Sequence, residues 1–174
     1  ILVLIFNCFF CFSQNKKTLI KEGNSLYNDS SYNMAEMKYR KSLEKDQDYF
    51  NAAFNLADAI YKQNRFEEST SLFDALKDNA RNNEDLARIN HNLGNSYLKE
   101  NKLEQAIEEY KSSLRLNPND EETRYNLAYA QKMKQQQEKQ QDQQQDQQQE
   151  QQQDEQQEQQ QDQQQDKQQD KEQD

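Results

Sequence analysis

Acid–base or nucleophilic chemistry in this chain would have to begin at His91, its single histidine. A serine or threonine nucleophile needs an activating base, and that base needs an orienting partner. One imidazole in 174 residues is thin support for such a triad. Carboxylate pairs such as Glu67/Glu68, Glu104/Glu108 and Glu121/Glu122 could share a proton. They stand among lysines and arginines on polar helical stretches, however, which is the pattern of a solvated, charge-balanced surface. Cys8, Cys11 and His91 fall short of the four ligands a structural zinc takes. Gly23 and Gly94 are isolated, so no glycine-rich loop is available for a phosphate. The residues that could do chemistry therefore predict no enzyme, no metal, no cofactor and no small-molecule substrate. Recognition is what remains.

Three compositions divide the chain. Residues 135–174 use only Gln, Asp, Glu and Lys, with an acid at every fourth position from Glu138 to Asp174. This segment carries nearly all of the net charge of -10. Like charges four apart on a helix repel, and without apolar residues nothing offsets the entropy of ordering, so a disordered or marginally helical tail is expected. The opening run ILVLIFNCFFCF is too short to span a membrane as a helix and suits the apolar region of a secretory signal peptide ending at Ser13. That reading implies export, and a mature chain without cysteine. A pI near 4.7 argues against nucleic acid as a partner. With only 2 Gly and 1 Pro, a β-sandwich or barrel lacks its turn residues, so the middle of the chain is read as all-α.

That middle repeats itself with a period near 34 residues. The clearest copy, 87–120, reads ARINHNLGNSYLKENKLEQAIEEYKSSLRLNPND, with Leu93-Gly94, Tyr97, Ala106, Tyr110 and Pro118. Residues 16–49 and 50–83 are weaker copies, carrying Gly23, Ala35 and Tyr39, then Ala57, Ser69 and Phe73. Glu84-Asp85-Leu86 is read as an insertion, and 121–134 matches a first helix only. Each copy gives two amphipathic runs with polar breaks at 28–31, 63–65 and 100–102. These features resemble the tetratricopeptide repeat (TPR). The resemblance implies a solenoid of three helix–turn–helix repeats and a closing helix, spanning 14–134.

In that family the first helices of successive repeats line a concave groove that grips a peptide. Carried onto this sequence, the groove positions are Ile20, Asn24, Tyr27, Phe54, Asp58, Tyr61, Arg88, His91, Asn95 and Tyr125. They form an aromatic stripe edged with amides and charges, suited to a protein partner. A narrower resemblance is the carboxylate clamp with which some TPR co-chaperones capture an acidic C-terminal peptide. Asn24 and Asn55 match it and Arg88 could replace one lysine, but Ile20 and Asn92 stand where cations belong. An accessory role to an envelope enzyme is a further alternative.

The combination of leader, repeats and tail is similar to the small TPR proteins of the Bacteroides aerotolerance (Bat) operon. KEGNSLYN, KYRKSLEK, NPNDEETRYNLAYAQKM and the Gln-rich tail carry that likeness. It implies a non-enzymatic scaffold in the periplasm or cell envelope of a Gram-negative bacterium, working beside membrane-anchored von Willebrand factor A-type proteins.

Overall fold

The structure is a computed structural model that describes residues 15–145; the apolar leader and residues 146–174 lie outside the described residues. Six helices are followed by a seventh: α1 (Lys16–Asn28), α2 (Tyr32–Leu43), α3 (Phe50–Lys62), α4 (Phe66–Leu76), α5 (Asn83–Lys99) and α6 (Leu103–Leu116), then α7 over 121–145. A short 3-10 turn, Lys77–Asn79, extends α4. No strand occurs among the described residues. Each of α1 to α6 packs on its neighbours in sequence, and α1 touches α3 as α3 touches α5. That is how stacked hairpins build a continuous core.

Local sequence explains where the helices begin and end. Asn15 opens α1 by accepting from the Lys17 amide, and Asn82 opens α5 by accepting from Asp85 at 2.8 Å. The turn inside each hairpin holds one residue in the left-handed region: Ser30 (φ 57°), Asn64 (φ 62°) and Asn101 (φ 58°). In each, the next amide reaches back five residues, Ser31 to Leu26, Arg65 to Ile60 and Lys102 to Tyr97. This is a Schellman closure, which satisfies carbonyls left open at a helix end. All three polar breaks read from the sequence are these turns. The insertion at 84–86 is helical instead, giving α5 17 residues against 13 in α1 and α3.

Three apolar clusters interlock the hairpins. Ile20, Tyr39, Leu56 and Ile60 join α1, α2 and α3; Phe54, Phe73, Ile89 and Leu93 join α3, α4 and α5; Ala106, Tyr110 and Ala130 join α6 to α7. Burial of each large side chain contributes about 1.5–3 kcal/mol. Two glycines let rings approach backbone: a Cβ on Gly23 would lie 2.5 Å from Tyr39, and one on Gly94 2.5 Å from Tyr110. Pro118 stands in the turn between α6 and α7, where its missing amide costs no helical bond.

By contact the chain divides into a unit ending at Ala130 and a second one beginning at Gln131. In the second, 131–145 is helical and 135–145 is solvent-exposed.

Candidate functional site

A cleft of about 400 Å³ opens along the first helices and is lined by Tyr27, Phe54, Asp58, Tyr61, Lys62, Arg88, His91, Asn92, Asn95, Asp120 and Glu122. A second hollow of about 230 Å³ adjoins it through Tyr27 and Asp58, with Asn24, Asn28, Tyr39 and Asn55 on its other walls. A larger hollow of about 480 Å³ lies at the hairpin turns, but both of its lining cations are already paired, Arg65 with Glu68 and Lys102 with Glu100. The concave cleft is the one with unspent polar groups beside aromatic faces.

The repeat builds its walls from two matching side-chain triads. Asn24 Oδ1 accepts from the Tyr39 hydroxyl (2.8 Å) and from Asn55 Nδ2 (2.9 Å). Asn95 Oδ1 accepts from the Tyr110 hydroxyl (2.7 Å) and from Asn126 Nδ2 (3.0 Å). Each triad ties a hairpin to the first helix of the next. Its tyrosines are also the rings seated on the two glycines, so close packing and hydrogen bonding depend on each other. Burial, with the Asp58 charge nearby, pushes the Tyr39 hydroxyl up to about 12.

His91 is locked into the same framework. With Asn95 Oδ1 occupied, its Nδ2 faces His91 Nε2 as a donor at 2.9 Å. His91 Nδ1 lies 2.6 Å from Thr123 Oγ1, whose hydroxyl donates to Asp120 at 2.7 Å. The chain of donors assigns the proton to Nδ1. Both ring nitrogens are engaged, so His91 ties α5 to α7 and is not a free base.

The middle repeat differs. Asp58 replaces the asparagine, and its carboxylate accepts from the Tyr27 hydroxyl. Burial raises its pKa above the ordinary carboxylate value, against the opposing pull of that hydrogen bond and of Lys62 and Arg88. The Arg88 guanidinium lies 4.3 Å from the Phe54 ring centre, stacked rather than paired.

Of the ten residues expected in the groove, Tyr27, Phe54, Asp58, Tyr61, Arg88, His91 and Asn95 line the cleft together, and Asn24 lines the adjoining hollow. Ile20 instead belongs to the core, 9% exposed, and Tyr125 is 72% exposed and lines neither cavity. The cause is positional. Ile20, Phe54, His91 and Tyr125 occupy one repeat position, which the next first helix covers, and among the described residues no further repeat covers Tyr125. Phe54 is itself only 5% exposed and forms the floor of the cleft. Sequence reasoning missed Lys62, Asp120 and Glu122, and named Asn92 only as a position of the carboxylate clamp. Glu122 had been placed on a solvated outer face, yet it is the repeat equivalent of Arg88 and sits on the cleft wall. The frame itself held that signal.

Two family profiles match the chain, one described as tetratricopeptide repeat over residues 20–84 and one as TPR repeat over 94–135. The chain is a tetratricopeptide-repeat protein. The solved TPR structure of Spaghetti (RPAP3) bound to the HSP90 peptide SRMEEVD is similar, with a TM-score of 0.64 and 23% identity, covering 70% of this chain and 94% of that one. The Sgt2 TPR domain from Aspergillus fumigatus has a TM-score of 0.65 at 15% identity, covering 71% of this chain and 82% of its own. In sequence, the Saccharomyces cerevisiae peptidyl-prolyl cis-trans isomerase CYP7 is 29% identical over 136 residues, a match covering 66% of this chain and 34% of that protein. The chain thus spans about a third of that relative. The TPR fold is typically a non-enzymatic interaction module, and the isomerase activity in the name of CYP7 is that protein's own.

Proposed function

We propose that this TPR protein is a non-enzymatic scaffold that holds an extended segment of a partner protein along its concave cleft. The observation that carries the reading is the joining of Tyr27, Asp58, Tyr61, Arg88 and Asn95 in one cleft of about 400 Å³. Flat aromatic faces supply contact area at low entropic cost, and amides and charges at the rim fix register. RPAP3 holding an HSP90 peptide supports peptide capture as a use of this architecture. An acidic C-terminal clamp fits less well: Ile20 is in the core where a cation belongs, and Asn92 donates to the Arg88 carbonyl at 2.9 Å.

The setting proposed is the cell envelope of a Gram-negative bacterium, with membrane-anchored von Willebrand factor A-type proteins as partners, as in the Bat-operon proteins. Supporting it are the apolar leader and the Gln-rich acidic tail. The test is a pull-down from envelope extract with the full chain, with Tyr61→Ala/Arg88→Ala, and with a chain ending at Lys134. Loss of the captured partner in the double variant alone supports the cleft. Retention there with loss on truncation would make the tail the binding element. Phe54 is left intact because its removal would open the core.

A further inference from the structure

The cleft contains one acid whose usual internal partners have been withdrawn. In the first and third repeats the equivalent residue is an asparagine, saturated by a tyrosine hydroxyl and by the next helix's asparagine. In the second repeat the position of Tyr39 and Tyr110 is held by Phe73, which has no hydroxyl to give. The next asparagine, Asn92, donates to the Arg88 carbonyl instead. Among the described residues Asp58 keeps the Tyr27 hydroxyl as its one hydrogen-bond donor, with Lys62 and Arg88 acting on its charge from a distance. Arg88 is stacked on Phe54 and Lys62 lies 5.8 Å from the Tyr61 ring centre; among the described residues neither forms an ion pair with Asp58. A half-buried carboxylate in this state is costly unless a cation meets it.

Its position is as telling as its state. Asp58 lies where the two hollows meet, lining both together with Tyr27, and shares the larger of the two with Tyr61. A lysine or arginine entering from a bound chain could lay its stem on those rings and bring its charge to the carboxylate. We propose that Asp58 anchors the bound segment by taking a lysine or arginine side chain, so that the cleft selects a peptide with a basic residue at one fixed position. This inference rests on the concave cleft being the binding surface. Burial's upward push on the Asp58 carboxyl agrees with it, since an arriving cation offsets that cost. Lys62 and Arg88 share the cleft, so selection of acidic peptides is the opposing outcome.

The test uses an array of immobilised random dodecapeptides probed with the full chain, Asp58→Asn and Tyr61→Ala/Arg88→Ala. Asp58→Asn installs the residue of the flanking repeats, and circular dichroism checks its fold. The wild type should enrich peptides with one fixed Lys or Arg. Asp58→Asn should bind the best of them about tenfold more weakly in solution. Replacing that Lys or Arg by norleucine should bring the two proteins to the same affinity. Enrichment of Asp or Glu, or equal binding of the basic peptide by Asp58→Asn, overturns the assignment. Peptides bound without basic preference overturn it while leaving the cleft reading standing. No peptide bound above the Tyr61→Ala/Arg88→Ala background overturns both.

Discussion

Gly94→Ala tests the packing that shapes the cleft. The added methyl would lie 2.5 Å from Tyr110 Cε1 and 2.6 Å from Cδ1, where ordinary contact begins at 3.4 Å. The ring must retreat by about 1 Å, yet Tyr110 is fully buried and its hydroxyl is held at 2.7 Å by Asn95. Overpacking costs about 1–3 kcal/mol and weakening that hydrogen bond about 0.5–1.5 kcal/mol. Alanine returns about 1 kcal/mol of helix propensity. The net loss is about 0.5–3.5 kcal/mol, and Gly94→Leu should reach the upper end of that range. For a urea m-value of about 2 kcal/mol/M, a 2 kcal/mol loss moves the midpoint by about 1 M. The second repeat indicates how the strain is relieved, since Ala57 there faces Phe73, a ring without a hydroxyl tether. Gly94→Ala/Tyr110→Phe should therefore lose less than the two single variants together, by about 0.5 kcal/mol or more. An unchanged midpoint for Gly94→Ala, or strict additivity in the cycle, would refute the argument.

Asp58→Asn should raise the urea midpoint at pH 7. Its raised folded pKa means the penalty is fully present where the acid is ionised and fades as pH falls through that pKa, so the gain should shrink near pH 4 in paired urea titrations. Glu36 works in the opposite direction. Burial pushes it up, but hydrogen bonds from Gln63, Arg40 and Arg65 outweigh that and hold it low, so its contribution is lost as pH falls through its folded pKa. Glu36→Gln should flatten that part of the acid limb. Ser30→Gly should stabilise the first hairpin by about 0.5 kcal/mol, since Ser30 holds φ 57° where glycine is unstrained, read as a rise in thermal midpoint. Ser113→Ala should cost about 1 kcal/mol in urea unfolding, because its buried hydroxyl donates to the Ala87 carbonyl at 2.8 Å.

The repeat frame was legible because it is local. Polar breaks at 28–31, 63–65 and 100–102 interrupt an apolar period, and a helix cannot continue through a residue held in the left-handed region. The insertion at 84–86 was legible only as extra residues. Its helical fate depends on Asn82 capping and on Arg81 pairing with Asp85 at 2.7 Å. Groove residues were legible as a set and less so singly, since Ile20, Phe54, His91 and Tyr125 share a repeat position and differ in burial through what the next helix places over them. The asparagine–tyrosine triads join three helices, and no spacing along one helix announces them. The repeat frame aligns Asp58 with Asn24 and Asn95, but only Phe73 in place of the tyrosine and Asn92 turned aside reveal what that charge lacks.

The central claim, that the concave cleft is the binding surface, is tested most directly by amide chemical-shift mapping of the chain titrated with the best dodecapeptide from the array. Perturbations should concentrate at Tyr27, Asp58, Tyr61, Arg88 and Asn95, with Glu67 and Glu104 unmoved. Shifts gathered on α2, α4 and α6, or confined to residues 135–174, would contradict it.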